Sequence, residues 1–216
     1  MKKIAFLGSG ALAVDLSDTV VNWNLYEVAG FIDGNCRKGT LVNGYPVLGN
    51  DDDVVSLYSD GAFDFLFIAI GYLNFSVREK LYNRFKGAVP FANIISPTAY
   101  IHPTAKIGEG VMVSDGVYIS RHVVLEDNVM ITLRSIVNHD GRVKKHSFFS
   151  TRVTTAGNVT IGERCFAGVG VIVSDGVKIC DDVWLSPGTV VVNNLDTPGH
   201  YMSKTLKLYN LGLSQE

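Results

Sequence analysis

The second half of the chain repeats a large apolar side chain at every sixth position. From Ile95 to Leu185 this series covers sixteen positions, and only Thr155 and Ala167 among them are small. A helix drifts around its axis at 3.6 residues per turn, and a single strand alternates every two residues, so neither explains a period of six. The chain must therefore turn a corner in each repeat.

A second series lies four residues after each member of the first and runs from Ala99 to Thr189, with only small or medium side chains. Short parallel strands joined by tight turns produce this pattern when both series face the interior, as in hexapeptide β-helices. With three strands per coil, residues 95–190 predict a little over five coils of eighteen residues each. The repeat resembles the left-handed parallel β-helix of the hexapeptide-repeat acyltransferases.

The first 90 residues instead alternate apolar strands with amphipathic helices. The pattern predicts strands at KKIAFLG, YEVAGFID and DFLFIAIG, and helices over Ala11–Trp23 and NFSVREKLYNRF. The glycines and proline of NGYPVLG indicate a loop with at most one short extended piece. Alternating strands and helices imply a parallel sheet. We therefore predict an α/β, Rossmann-like domain over 1–90 and a β-helix domain with a C-terminal tail over 91–216.

Composition and charge limit the classes of partner that the protein is expected to bind. The 216 residues are 47% hydrophobic with a mean hydropathy of +0.20, which favours a fully folded protein with a large core. The formal charge of −2 comes without any block of like charge, so we expect no nucleic acid partner. No stretch offers the roughly 18 uninterrupted apolar residues of a membrane span.

Cellular location follows from the cysteines and the first residues. Cys36, Cys165 and Cys180 cannot all pair with one another and show no metal-binding spacing. The start MKKIAFLGSGALA mimics a signal peptide, but its apolar run is too short, and a strand entering a glycine turn explains the same letters. We expect a reducing, cytoplasmic location. Cys165 falls on an inward position, where a core thiol is expected rather than a nucleophile.

The segment IVNHDGRV places a histidine and an aspartate at one turn of the repeat. Because Val137 and Gly141 hold the inward positions, His139 and Asp140 face outward. One interpretation is a solvated polar corner, as expected also for His122 and His146. The other is a general base, because an adjacent carboxylate can orient an imidazole and raise its basicity.

Residues eighteen apart stack in neighbouring coils, so Arg121, His139, Gly157 and Asp175 form one column. A glycine directly above His139 lets a ligand approach the backbone and leaves an N–H to bind a carbonyl oxygen. This context favours the general base.

A nucleotide site is predicted in the first domain. Gly8-Ser9-Gly10 follows a strand and precedes a helix, where glycines let a phosphate approach the helix N-terminus. Asp33 ends the second strand, where an acidic residue binds a ribose hydroxyl. NAD would fit too, but about 90 residues suffice for only one mononucleotide-binding half. For Arg78 the alternative is a surface position on its helix. The candidate substrate-binding residues are Gly8, Ser9, Gly10, Asp33, Gly34, Gly71, Asn74 and Arg78.

The motifs GSGALA, FIDGN, NGYPVLG, FIAIGYLNFSVREKLY, IHPTAKIGEGV and IVNHDGRV occur in one order over almost the whole chain. In this order they resemble bacterial nucleotide-sugar acetyltransferases, among them the perosamine, viosamine and bacillosamine N-acetyltransferases and the sialic acid O-acetyltransferase-like proteins. The resemblance implies acetyl-CoA-dependent acetylation of a nucleotide-linked amino sugar for cell-surface polysaccharide, such as lipopolysaccharide O-antigen. It makes His139 the catalytic base with Asp140 beside it, sets Gly157 next to acetyl-CoA, and requires no metal.

Two features bear on the cofactor and on assembly. Relatives often carry a second histidine nine residues after the catalytic one, near acetyl-CoA, and here Phe148 takes that cofactor-binding position. The tail also departs from the segment that closes the β-helix in relatives. The resemblance further implies a homotrimer with acetyl-CoA between subunits. Outward apolar residues suggest packing between subunits as well, namely Val124, Met130, Phe148, Phe166 and Trp184.

Three alternatives to an amino-sugar acetyltransferase remain. In the first, the acetyl group goes to a sugar hydroxyl instead of an amine. In the second, the protein is a non-catalytic, nucleotide-binding trimeric scaffold, and in the third it is a metal-dependent enzyme. A metal-dependent carbonic anhydrase shares the β-helix but requires histidines separated by four residues, whereas His139 and His146 are separated by six, and zinc usually needs three protein ligands.

Overall fold

A computed structural model describes residues 1–203, apart from the side chain of Tyr72. Its first part is a five-stranded sheet of order β3-β4-β2-β1-β5, in which only the β3–β4 pair is antiparallel. The strands are β1 Lys3–Leu7, β2 Glu27–Ile32, β3 Leu41–Val42, β4 Tyr45–Gly49 and β5 Phe65–Ile68. The helices are α1 Ala11–Asn22, α2 Val54–Ser59 and α3 Phe75–Phe85, with 3₁₀ turns at Asp51–Asp53 and Tyr72–Asn74.

The segment NGYPVLG corrects one expectation, because most of it is strand β4. Asn43 and Gly44 both have positive φ, 48° and 81°, and they form the two-residue turn of a hairpin between β3 and β4. Helix α2 was not predicted either. The glycines and proline that indicated a loop belong to the turn and to a strand that lies between β2 and the edge.

The rest of the chain winds into a triangular prism whose three walls are parallel sheets. Successive strands of a wall pair at a spacing of eighteen residues, as Ile119 does with Val137, except at the end of one wall, where Val183 pairs with Gly199 sixteen residues later. Wall 1 contains Ile94–Ile95, Met112–Val113, Met130–Ile131, Phe148–Phe149, Phe166–Ala167, Val183–Leu185 and Gly199–Tyr201. Wall 2 contains Tyr100–Ile101, Tyr118–Ile119, Ile136–Val137, Thr154–Thr155, Ile172–Val173 and Val190–Val191. Wall 3 contains Lys106–Ile107, Val124–Leu125, Arg142–Val143, Thr160–Ile161 and Lys178–Ile179.

Both predicted inward series fill the prism. Val137, Phe149 and Ile161 of the first series and Val123 and Val153 of the second belong to one buried cluster. The predicted fold, a Rossmann-like α/β domain followed by a left-handed β-helix, is confirmed. The domain boundary at residue 90 stays a prediction; Phe91 bridges to Leu66 of the first sheet, and wall 1 begins at Ile94.

The first domain packs against the outer face of wall 1. Met130, Phe148 and Phe166 lie in one buried cluster with Phe6 and Phe31 of the first sheet. These wall 1 side chains are therefore covered within a single chain, which corrects the expectation that they form a surface for another subunit. Trp184 is partly buried against the same cluster, with its ring centroid 4.1 Å from that of Phe166.

No helix within residues 1–203 is long and apolar enough to cross a membrane.

Candidate active site

His139 and Asp140 occupy the turn from wall 2 to wall 3. Asp140 adopts a φ of 58°, the left-handed conformation that this turn position requires. Its N–H donates to the carbonyl of Arg121 at 3.0 Å, and the carbonyl of His139 accepts from the N–H of Asn158 at 2.9 Å. Hydrogen bonds to the coils on both sides therefore fix the turn, while the His139 side chain keeps 41% of its surface exposed.

The His139 imidazole lies against Gly157, as the predicted column requires. A Cβ atom at Gly157 would lie 2.6 Å from His139 Nε2 and still closer to Cε1. No side chain fits there without moving the ring, so the glycine makes room for it. Because Nε2 is on the ring edge next to Gly157, a ligand that approaches the Gly157 backbone beside the ring would also meet the nitrogen that can accept a proton.

Asp140 sets the tautomer of His139. Asp140 Oδ2 lies 2.9 Å from His139 Nδ1, and since a carboxylate only accepts, the proton is on Nδ1. The lone pair is then on Nε2, as a general base requires. Hydrogen bonds from His139 and then from His122, together with the charge of Arg121, hold the pKa of Asp140 below its usual value. The carboxylate therefore stays ionised near neutral pH.

His122 is a member of this group that the sequence interpretation missed. Its Nδ1 lies 3.1 Å from Asp140 Oδ1, so one carboxylate joins two imidazoles. His122 is exposed at its corner as expected, with 55% of its side chain accessible, and in addition it pairs with Asp140. The signal was present, because His122 precedes Asp140 by eighteen residues and therefore stacks directly on it.

His146, unlike His122, departs from the solvated corner that was expected. It is only 2% exposed and lies at a different corner of the prism from His139, between walls 3 and 1. Its Nδ1 lies 2.9 Å from Asn128 Nδ2, and its ring meets the ring of Tyr82 edge-on at 5.4 Å. Burial, helped by the charges of Arg78 and Arg164, lowers the pKa of His146 to about 4.

The first domain holds a cleft of about 480 Å³ at the carboxyl ends of its strands. Six of the eight predicted substrate-binding residues line it, namely Gly8, Ser9, Gly10, Asp33, Gly34 and Gly71. Gly10 precedes α1 without a side-chain cap, which leaves the positive helix end toward the cleft.

Asp33 organises the glycine turn at one side of this cleft. Its Oδ2 accepts from the N–H and the hydroxyl of Ser9, at 3.0 and 2.6 Å, and its Oδ1 accepts from the N–H of Asn35 at 2.9 Å. Burial acts to raise the pKa of Asp33, but these hydrogen bonds outweigh it and hold the pKa below its usual value.

Asp51 also lines the cleft and was not predicted. Burial raises its pKa, and the nearby Asp33 carboxylate acts in the same direction. The residue follows β4, so the interpretation of that segment as a loop concealed its position at the end of a strand.

Two predicted residues lie outside the lining of the cleft. Asn74 is exposed, at the end of a 3₁₀ turn. Arg78 is fully buried between the domains, so the alternative of a surface position is wrong. Its guanidinium donates to the carbonyl of Ile70 at 2.7 Å and to the side-chain oxygen of Asn128 at 2.8 Å. It joins the loop after β5 to the β-helix, and burial lowers its pKa to about 10.

Phe148 lies on wall 1 rather than at the corner that carries His139. Its ring stacks on Phe166 with centroids 5.9 Å apart, under the first domain, and 6% of the residue is exposed. The structure therefore does not bring Phe148 to His139, and a contact with the cofactor stays a prediction. Cys165 lies in the core as expected, and burial raises the pKa of its thiol to about 12.

Within the described part of the chain, no three His, Cys, Asp or Glu side chains are grouped to hold a metal ion. Among residues 1–203, those that line the cleft fall between 8 and 81, so the single chain does not place His139 in it.

Comparison with known proteins gives a consistent assignment. The PglD N-terminal domain family matches residues 3–85, and the GMPPB C-terminal domain family matches residues 95–196. The structure resembles a mutant of perosamine N-acetyltransferase from Caulobacter crescentus in complex with CoA and GDP-perosamine, at 30% identity and a TM-score of 0.85. That similarity covers 94% of each chain.

Two further relatives support less: one shares the fold at low sequence identity, and the other matches only part of the chain. The acetyltransferase domain of PglB from Neisseria gonorrhoeae FA1090 shares the fold, with a TM-score of 0.84 and 24% identity over 94% of this chain and 97% of that one. UDP-3-O-acylglucosamine N-acyltransferase from Bordetella avium (strain 197N) is 35% identical over 78 residues, which are 36% of this chain. The chain spans only 22% of the length of that relative. Together these similarities confirm the resemblance seen in the sequence, and the chain belongs to the hexapeptide-repeat nucleotide-sugar acyltransferase family.

Proposed function

We propose that the protein transfers the acetyl group of acetyl-CoA to the amino group of a nucleotide-linked amino sugar, with His139 as general base. The observation that carries the proposal is the His139 imidazole, oriented by Asp140 and seated on Gly157. The similarity to a perosamine N-acetyltransferase solved with CoA and GDP-perosamine supports the same pair of substrates.

The chemistry requires a proton acceptor and an oxyanion donor. The sugar nitrogen attacks the thioester carbonyl, and His139 Nε2 takes the proton that the nitrogen loses. The Gly157 N–H would donate to the oxyanion of the tetrahedral intermediate. When the intermediate collapses, the carbon–sulfur bond breaks, and the imidazolium returns the proton to the departing CoA sulfur. Asp140 stabilises the imidazolium between these two steps.

The cleft of the first domain is the proposed nucleotide site. Asp33 and the turn from Gly8 to Gly10 would hold the ribose and phosphates, and Gly34 and Gly71 also line the cleft. Asn74 and Arg78 lie outside the lining. Arg78 would act indirectly, because its bond to the Ile70 carbonyl supports a residue that does line the cleft.

A homotrimer belongs to the same proposal, because the cleft and His139 lie on separate parts of one chain. The outer face of wall 2 is an exposed apolar surface next to the His139 corner. Tyr100 and Tyr118 stack on it with ring centroids 4.7 Å apart and are 46% and 42% exposed, and Ile172 and Val190 continue it. We propose that a second chain covers this face and that acetyl-CoA, with Phe148 as a predicted contact, lies between subunits. The cytoplasm, where acetyl-CoA is available, is the proposed location.

A panel of nucleotide-linked sugars tests the activity. Purified protein is incubated with acetyl-CoA and UDP-, dTDP- or GDP-linked sugars, each in an amino and a hydroxy form, and thiol release is recorded. We expect release with at least one amino sugar and none with its hydroxy partner. Release only with hydroxy sugars would identify an O-acetyltransferase instead. Nucleotide binding without release from any member would indicate the non-catalytic scaffold.

A further inference from the structure

We propose that His122 is a positioning residue of the active site: it holds one oxygen of Asp140 so that the other stays on His139 Nδ1. The inference rests on the proposed function for its kinetic consequences. The juxtaposition that carries it is the chain His122–Asp140–His139, with Nδ1-to-oxygen distances of 3.1 and 2.9 Å.

The fold holds all three residues in neighbouring coils. His122 and Asp140 occupy the same turn position eighteen residues apart, each with a φ of 58°. The N–H of His122 donates to Thr104 Oγ1 at 2.9 Å, and the N–H of Asp140 donates to the carbonyl of Arg121 at 3.0 Å. Both backbones are thus fixed by the coil before them, so the spacing of the two side chains follows from the coil repeat.

The two hydrogen bonds to Asp140 determine which nitrogen of each imidazole carries the proton. An ionised carboxylate only accepts, so both imidazoles must present an Nδ1–H to Asp140. His139 then keeps its lone pair on Nε2, toward Gly157. Asp140 is 39% exposed, and an exposed carboxylate with one partner is free to turn about its side-chain bonds. The second bond restricts that motion and keeps the base oriented before the substrate arrives.

Arg121 does not replace this contact. Its Nη2 lies 3.9 Å from Asp140 Oδ2, too far for a hydrogen bond, and its side chain is 54% exposed. It adds positive charge near Asp140 without fixing the direction of the carboxylate. His122 thus contacts the ionised Asp140 of the following coil and the neutral Thr104 of the preceding coil. Arg121 and His139 are the other charged or titratable groups near the Asp140 carboxylate.

The hydrogen bond that His122 makes can be tested apart from its imidazole ring. An asparagine at position 122 keeps an N–H donor at the same branch of the side chain. His122→Asn therefore keeps the hydrogen bond to Asp140 while it removes the ring.

The kinetic test compares His122→Ala and His122→Asn with the wild type and with His200→Asn. His200 is the control, because it is an exposed histidine on wall 1, where its Nε2 meets Ser186 Oγ away from this corner. We expect His122→Ala to lower kcat about tenfold with little change in either KM, a fraction of the effect of losing the base itself. His122→Asn should recover most of this loss, because it keeps the hydrogen bond to Asp140. Wild-type kcat in His122→Ala, or equal losses in both variants, would overturn the proposal.

A spectroscopic test needs no turnover and so separates this inference from the proposed function. The protein is labelled with ¹⁵N-histidine and the tautomer of His139 is read without substrate, in the wild type and both variants. We expect the Nδ1–H form to dominate in the wild type and in His122→Asn and to lose population in His122→Ala. An unchanged tautomer in His122→Ala would exclude the positioning role, whatever the acetyl acceptor is. Absence of any acetyl transfer by the wild type, with the expected tautomers, would refute only the proposed function.

Discussion

The orientation of the His139 ring depends on a missing side chain at position 157. The space that a Cβ of Gly157 would fill is already occupied by the ring edge that carries Nε2. Backbone conformation does not explain the glycine, since Gly157 is not among the residues with positive φ. The glycine is therefore required by the imidazole beside it and by the thioester proposed to bind there.

Gly157→Ala should accordingly impair chemistry more than folding. The added methyl group would displace the ring from the position that Asp140 sets, and we expect kcat to fall at least about tenfold, because small misplacement of a reacting group is costly. Binding of the nucleotide-linked sugar should not change. Steady-state kinetics and calorimetry measure the two effects, and urea unfolding serves as the control for the fold. A variant with normal kcat would show that His139 does not react from its observed position.

At the scale of elements, the contact of α3 with the β-helix buries groups that titrate. Positions 78, 81, 82 and 85 share the buried face of α3, as residues three and four apart do on a helix. Tyr82 from this face covers His146, and Arg78 reaches Asn128. The orientation of the first domain on wall 1 thus depends on polar contacts as well as on the aromatic cluster.

His146 makes this contact sensitive to acid. The unfolded chain takes up a proton near the ordinary pKa of 6.5, whereas the folded protein holds this pKa at about 4. Between these values the unfolded state binds more protons, so stability falls as the pH drops from about 6.5 to 4, by up to roughly 3 kcal/mol. Urea unfolding from pH 7 to 4.5 should show this loss in the wild type and a smaller loss in His146→Asn. Equal pH dependence in the two proteins would contradict the buried neutral histidine.

The cleft of the first domain gives a separate prediction. Asp33→Ala removes the acceptor for three donors in the loops that follow β1 and β2, and the turn that carries Ser9 should lose its shape. We expect binding of the nucleotide-linked sugar to weaken about tenfold, with acetyl-CoA affinity unchanged. Asp52→Ala is the control, since Asp52 is exposed and pairs with Arg84. Calorimetry with each ligand measures both affinities, and an equal loss of both would place the nucleotide elsewhere.

The β-helix could be predicted from sequence because each inward position depends only on its neighbours within one hexad. The column of His139 and Gly157 followed from the same arithmetic. The hairpin at Asn43 and Gly44 was missed because glycine and proline near a strand end indicate a loop equally well. The pair Asn43-Gly44 is typical of a two-residue hairpin turn. The hairpin was nevertheless hard to predict, because its first strand, β3, is only two residues long.

The contacts between domains had no such local signal. Phe148 and His146 both occupy outward positions of the repeat, and the hexad pattern alone treats every outward position alike. Which wall the first domain covers is decided by the match of distant surfaces. Arg78 illustrates the same point, because only that packing shows its guanidinium enclosed beside Asn128.

At the scale of the whole molecule, the proposed reaction needs more than one chain. Wall 1 is covered by the first domain, while wall 2 exposes aromatic and aliphatic side chains along its length. A surface of this kind beside a candidate active site favours an interface. The cleft and His139 would then serve one reaction through contacts between subunits.

Light scattering measures the assembly directly. Three chains of 23.5 kDa give about 70 kDa for the wild type. Tyr118→Lys places a charge on the second of the six strands of wall 2 and should shift the mass toward the monomer, with loss of activity. Leu41→Lys, at an exposed apolar residue of the first domain, is the matched control and should remain a trimer. A wild-type monomer of 23.5 kDa at micromolar concentration would contradict the trimer.

The most direct test of the account is the turnover of His139→Ala against wild type across pH, with the sugar that the panel identifies. Loss of the general base should lower kcat by roughly 10²- to 10⁴-fold with smaller effects on either KM, and Asp140→Asn should cost less. An amine acceptor needs no base once its own proton is gone, so much of the loss should be recovered at raised pH, whereas a hydroxyl acceptor would recover little. Wild-type turnover in His139→Ala would contradict the account and leave the histidine as a polar corner of the prism.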